Sequence, residues 1–153
     1  MAEPRKISRS SNDNFSGIVW NAFVDLCAME ELWNLTPIQC RAALAFWYMS
    51  EVNNGGHFQY FLNKRHFDHH EVVKALRVLG ATACARILDE AIEHYALTPP
   101  ASTDTVEEYL AAEEKAGLDD FDRRFWEEGN AEIMRCLEEY LSQHESEFVQ
   151  WIP

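Results

Sequence analysis

The sequence predicts an all-α fold, one compact domain of about seven or eight helices, on three observations. Apolar residues recur three and four apart in nearly every segment, the spacing that lines one face of a helix. No strand-like alternation survives between turn signals, and no internal repeat is visible. Helix start and stop residues punctuate the chain in step with those apolar stripes. At 153 residues the chain suits one domain, and a chain of that size buries about 70% of the surface its unfolded form exposes.

Residues 1–14, MAEPRKISRSSNDN, carry charges with no apolar run after them, which reads as a polar flexible tail and not a secretory signal. The helical domain then spans residues 15–153. Phe15, Ile18, Val19, Ala22, Phe23, Leu26 and Trp33 form the first stripe. Thr36-Pro37-Ile38-Gln39 is a start signal, with Thr as N-cap, Pro at the first helical position and Gln three residues after the cap. The helix it opens, to about Val52, is apolar on most sides and is predicted to be central. Asp68 with Glu71 starts another helix, which runs through Val72, Val73, Leu76 and Leu79 and stops at Gly80. Cys84, Ile87, Leu88, Ala91 and Tyr95 share one face of the next.

Leu97 to Thr103, LTPPAST, is the one linker-like stretch. Asp104 and Glu107 are predicted to cap a helix carrying Val106, Tyr109 and Leu110 and ending at Gly117. Phe121 and Phe125 mark a short helix, Gly129-Asn130 is predicted to break it, and Ile133, Met134, Leu137, Tyr140 and Leu141 mark the last long one.

Composition narrows the function. With 47% hydrophobic residues the chain is not disordered, and its longest apolar run, Ala42 to Met49, is far short of the roughly 20 residues of a membrane span. Cys27, Cys40, Cys84 and Cys136 form no C-x-x-C pair and fall on apolar helical faces. They read as buried reduced thiols of a cytoplasmic protein. The net charge is −13, and its placement is uneven: residues 1–80 are balanced, whereas residues 81–153 carry five basic and eighteen acidic side chains. A nucleic-acid binder would show the opposite sign. A field of this sign repels DNA and anionic membranes and attracts basic partners.

The stretch EVNNGGHFQYFLN, residues 51–63, interrupts an apolar helix with amides and glycines. Asn and Gly tolerate the left-handed backbone that ends helices. Asn53, Asn54, Gly55 and Gly56 are therefore predicted to stop the central helix and turn the chain, with a short helix restarting near His57. Phe58, Phe61 and Leu62 would face the core. Gln59 and Asn63, four apart, would need partners, and the free backbone groups of the corner are the nearest ones.

NNGG followed after two residues by QYF and then an Asn resembles the signature of a bacterial family of DNA-mimic-protein-like domains of unknown function. ALRVLGATACARILDEAIEHY and LDDFDRRFWE resemble its later portions, so the likeness covers roughly residues 20–145. Family members often place an aromatic directly after the Gly pair; here His57 stands there, with Phe58 next. The resemblance implies an all-helical fold, a homodimer and no cofactor. For its characterised member it also implies an acidic surface that occupies the DNA site of a transcription factor.

Mimicry itself has to be read from acidic residues. Helix side chains three or four apart lie about 5–6 Å from each other, near the separation of neighbouring phosphates on one strand. Asp104, Glu107, Glu108, Glu113 and Glu114, then Asp119, Asp120, Asp122, Glu127 and Glu128, then Glu132, Glu138 and Glu139 make up the predicted partner-binding surface. The bland alternative is a charged face that keeps the protein soluble.

Other chemistry has less to stand on. His66, His69 and His70 form the one metal-like cluster, with His66 and His70 four apart, but a cap at Asp68 would leave His66 outside the helix. No G-x-S-x-G, Walker loop, H-E-x-x-H or dinucleotide motif occurs. The sequence therefore favours an acidic module that binds a basic protein, such as a DNA-binding regulator, with an immunity-type inhibitor of a basic toxin as a variant. A small metal-dependent enzyme using the His66–His70 region and the Asn53–Gln59 corner is the alternative from another class.

Overall fold

The computed structural model describes residues 1–8, 14–99 and 101–153. Six helices account for most of them, fewer than the seven or eight expected. Helix α1 is Phe15–Met29, α2 Pro37–Asn63, α3 His69–Leu79, α4 Thr82–Ala96 and α5 Val106–Ala116; α6 covers residues 119–143. The count falls because two predicted boundaries are only interruptions. Gly55 and Gly56 kink α2, and α6 passes through a π turn at Phe125–Gly129.

Gly129, expected to break the last helix, sits in that π turn for a packing reason. A Cβ there would lie 2.9 Å from the Cys84 Sγ, and the Cys84 thiol donates to the Gly129 carbonyl at 3.2 Å. Glycine lets α4 and α6 approach closely while the helix continues. π turns of this kind are single-turn insertions within otherwise regular helices.

The helix starts follow the caps with one shift. Thr36 and Gln39 form the expected capping box of α2. Asp68 caps α3, accepting from the His70 N–H at 3.0 Å. On α5 the box is Thr105 with Glu108, not Asp104 with Glu107. Thr105 takes the position because its extended backbone aims its hydroxyl at the N–H three residues on. Gly80 and Gly117 end α3 and α5 in the left-handed conformation.

Two four-residue strands are present that the sequence did not signal. Arg5–Ser8 (β1), within the stretch read as a tail, pairs in parallel with Val149–Ile152 (β2). Strands this short carry too little alternation to be recognised. The remainder of the expected tail up to residue 13 lies outside the described residues.

Helix α2 is central: Ala42, Ala45, Tyr48 and Val52 are buried, and α3 and α6 pack against it. The amide of Gln39, also buried, donates to the Glu147 carbonyl at 2.7 Å. Trp33 does not continue the α1 stripe. It follows the end of α1, in a 3-10 turn at Leu32–Asn34, and is 83% exposed. All four cysteines are free, with Cys27, Cys84 and Cys136 buried and Cys40 half-buried. Among the described residues no helix is long and apolar enough to cross a membrane.

Candidate functional site

The corner in α2 is built by one glycine more than by the other residues of its motif. Gly56 has φ 76° and is left-handed, while Gly55 has φ −160°, extended backbone open to any residue. Asn53 and Asn54 stay helical, contrary to the expectation that they help end the helix. The Asn53 amide instead reaches across to α6, donating to Asn130 Oδ1 at 3.1 Å.

The kink delivers His57 into the core, where it is fully buried. Its main-chain N–H and its Nδ1 both meet Asp122 Oδ1, at 2.8 and 2.6 Å. Its Nε2 lies 2.9 Å from the Tyr48 hydroxyl. Burial holds the Tyr48 phenol well above its ordinary pKa, so it remains protonated and donates to Nε2. The Nδ1–H then donates to Asp122, and this network assigns the tautomer. Tyr48, His57 and Asp122 thus form a hydrogen-bonded chain from α2 to α6. Chemically it resembles a proton relay, but Tyr48 and His57 have no exposed surface on which a substrate could meet them. Its visible effect is to lock the kink to α6.

The two amides after the kink are satisfied by a side chain and not by corner backbone groups. Gln59 Nε2 and Asn63 Nδ2 each donate to Glu51 Oε2 at 2.9 Å, and Lys64 Nζ lies 3.6 Å from Glu51 Oε1. Phe58 and Phe61 face inward as expected, with Phe61 stacked on Tyr95 at 4.5 Å between ring centroids.

The three histidines of the metal-like cluster go separate ways. His69 Nδ1 is 2.9 Å from the Tyr60 hydroxyl, and burial lowers its pKa. His70 lies 3.9 Å from Asp89, and His66 packs edge-on against Phe67. Among the described residues no group of three or more His, Cys, Asp or Glu side chains is arranged to hold a metal ion.

The thirteen carboxylates of the predicted acidic surface divide by role. Asp122 faces inward to His57. Glu132 caps α4, accepting from the N–H groups of Ala83 and Cys84 at 2.9 and 3.2 Å. Glu108 closes the α5 capping box, and the Ser102 hydroxyl, with the backbone N–H groups of Thr105 and Asp104, holds it below the usual carboxylate pKa. Asp104 accepts from the Ser102 hydroxyl at 3.3 Å. Arg123 joins Asp120 and Glu127, Arg86 pairs with Glu128, and Arg135 with Glu139. The side-chain carboxylates of Glu107, Glu113, Glu114, Asp119 and Glu138 have no hydrogen-bond or ion-pair partner among the described residues.

Three of those unpaired carboxylates lie on α5, and the face around them is not the one predicted. Val106 and Leu110, expected on the inner stripe, are 71% and 56% exposed. Ala112 and Ala116 are buried instead, with Tyr109 half-buried against Phe58. The outer surface of α5 is therefore mixed, apolar at Val106 and Leu110 and acidic at Glu107 and Glu114.

Sequence reasoning missed Tyr48 and Glu51 as partners of the corner. Glu51 sits eight and twelve residues before the amides it holds, spacings that mean nothing on an uninterrupted helix and become contacts only across the kink. A family model described as DMP19-like protein matches residues 34–144, which include the corner and all thirteen carboxylates of the predicted acidic surface. No curated protein matches the chain, and no solved structure does.

Proposed function

This chain belongs to the DMP19-like protein family, and from that premise we propose that it is an acidic protein-binding module acting as a DNA mimic toward a basic, DNA-binding partner. The observation that carries the reading is the set of unpaired carboxylates Glu107, Glu113 and Glu114 on α5, with Asp119 just beyond it. They belong to the half of the chain that accounts for the whole net charge of −13. Glu107 and Glu114, seven residues apart, present anions about two turns, about 10 Å, apart along one side of α5, and the summed field of the acidic half steers encounter. Exposed Val106 and Leu110 add apolar contact that a phosphate backbone lacks, which favours a protein over a purely ionic ligand. On this reading the chain acts in the cytoplasm, as a homodimer, without a cofactor.

The carboxylates engaged in caps and ion pairs contribute to the field without being free to contact a partner. The test variant is therefore the triple reversal Glu107→Lys, Glu113→Lys, Glu114→Lys, which leaves the Glu108 cap intact. A partner captured from native lysate should be basic. The chain should displace a DNA duplex from it, and the complex should weaken steeply with salt because exposed charges are screened within about 8 Å at physiological ionic strength. The triple variant should associate at least tenfold more slowly. A partner that binds the triple variant as fast as wild type, with a flat salt response, would make the acidity a solubility feature.

A further inference from the structure

A second surface lies in the charge-balanced half of the chain, away from α5. The end of α1 and the 3-10 turn after it, the first half of α2 and the start of α3 enclose a groove of about 550 Å³, within the size range of ligand sites. Its apolar lining includes Met29, Trp33, Leu44, Trp47 and Phe67. Met29 and Trp33, at its edge, are 82% and 83% exposed and open to contact.

One cation of the chain itself already lies in the groove. Lys64 Nζ sits 3.8 Å from the centroid of the Trp47 ring and 5.5 Å from that of Phe67, an ammonium held on an aromatic face. The rim is acidic: Glu30, Glu31, Asp68 and Glu71 line it against the single cation Lys64. Glu71 is paired with Lys74, and the Glu31 carboxylate has no hydrogen-bond or ion-pair partner among the described residues. Asp68 and Glu30 give one oxygen each to neutral N–H donors, not to a cation. An anionic ligand, nucleic acid included, is disfavoured by that rim.

We propose that this groove docks a cationic peptide segment of a partner protein, with an Arg or Lys side chain laid on the open Trp33 indole, its charge toward Glu31, and an adjacent aliphatic side chain against Met29 and Leu44. Aromatic faces and carboxylates together select a cation on an apolar stem, the chemistry of Arg and Lys side chains. The surface is separate from the carboxylates of α5, so the chain can hold a basic partner at two places.

The test uses the full chain and a capped hexapeptide alternating Leu and Arg, with Glu and Gln analogues as controls, followed by NMR of the indole N–H resonances and of the Met, Val and Leu methyl resonances. The Arg peptide should shift Trp33 and Met29 and leave Trp20 and Trp151 unmoved; the Glu peptide should shift nothing. Trp33→Ala, at an exposed position that the fold does not need, should weaken binding about tenfold, and Glu31→Lys should weaken it and flatten its salt dependence. The triple reversal on α5 should leave groove binding intact, so failure here and failure of the α5 reading are told apart. The proposal is overturned if the peptide moves Val106 and Leu110 but not Trp33, if the Gln peptide binds as tightly as the Arg peptide, or if Trp33 proves to be covered by a second copy of the chain.

Discussion

Asp122 Oδ1 accepts two hydrogen bonds from His57, one from its main-chain N–H at 2.8 Å and one from its Nδ1 at 2.6 Å. A single carboxylate oxygen on α6 thus fixes both the backbone and the side chain of the residue that follows the kink in α2. Asp122 had the look of one more surface acid, and its position makes it a structural residue. Asp122→Ala should leave two donors of a buried residue unpaired and lower the unfolding free energy by about 2–4 kcal/mol. Urea denaturation measures this. An Asp122→Ala protein of unchanged stability that loses partner binding would return Asp122 to the binding surface.

The two glycines of the corner should respond differently. Gly56 combines φ 76° with a Cβ position that runs into the Asp122 carboxylate, so Gly56→Val should cost several kcal/mol or prevent folding. Gly55 has no such backbone constraint, and a Cβ there meets the Gln59 side chain, whose amide end can swing aside. Gly55→Ala should cost about 1 kcal/mol and fold. Equal losses in thermal melts of the two variants would contradict this account of the kink.

Glu51 holds Gln59, Asn63 and Lys64 together, so removing one donor should matter less than removing the acceptor. Gln59→Ala should cost about 1 kcal/mol, because Asn63 and Lys64 still satisfy the carboxylate. Glu51→Ala should cost about 2 kcal/mol, since it strands the half-buried Gln59 and Lys64 side chains, whereas exposed Asn63 turns to water. Paired denaturation curves, with the double variant closing the cycle, give the coupling. A Gln59→Ala loss as large as that of Glu51→Ala would mean that Gln59 has a further role.

Buried thiols and phenols set the alkaline limit of stability. Burial raises the Cys27 pKa from its ordinary 9.0 to about 12, and it pushes Cys84, Tyr48 and Tyr60 upward as well. A raised pKa means that the unfolded chain releases its proton first. The stability these groups support is complete below about pH 9 and is lost as pH climbs toward 12, at up to about 1.4 kcal/mol per pH unit for each group. The urea midpoint should hold between pH 7 and 8.5 and then fall, and Cys27→Ala should make the fall shallower. In native protein, thiol reagents should reach half-buried Cys40 before the other three. An alkaline slope unaffected by Cys27→Ala would show that burial there does not control ionisation.

By itself the sequence determined the helical class, most helix starts and the location of the kink. Those features rest on local rules: apolar spacing of three and four, Thr36-Pro37 and Asp68 as caps, Gly80 and Gly117 as stops. It also determined the imbalance of charge, and ion pairs such as Arg123 with Asp120 and Glu127 lie at spacings any helix brings together. Only the tertiary structure decided which carboxylates are free. Asp122 and Glu132 are drawn inward by N–H groups 65 and about 49 residues away, a distance no local pattern encodes. The same holds for Glu51 across the kink, for the pairing of β1 with β2 at opposite ends of the chain, and for Gly129, whose missing side chain makes room for Cys84. The outward turn of Val106 and Leu110 follows from which face of α5 met Phe58. A periodic stripe can say that a helix has a preferred side, but the neighbour that covers it is chosen by the packing of the whole chain.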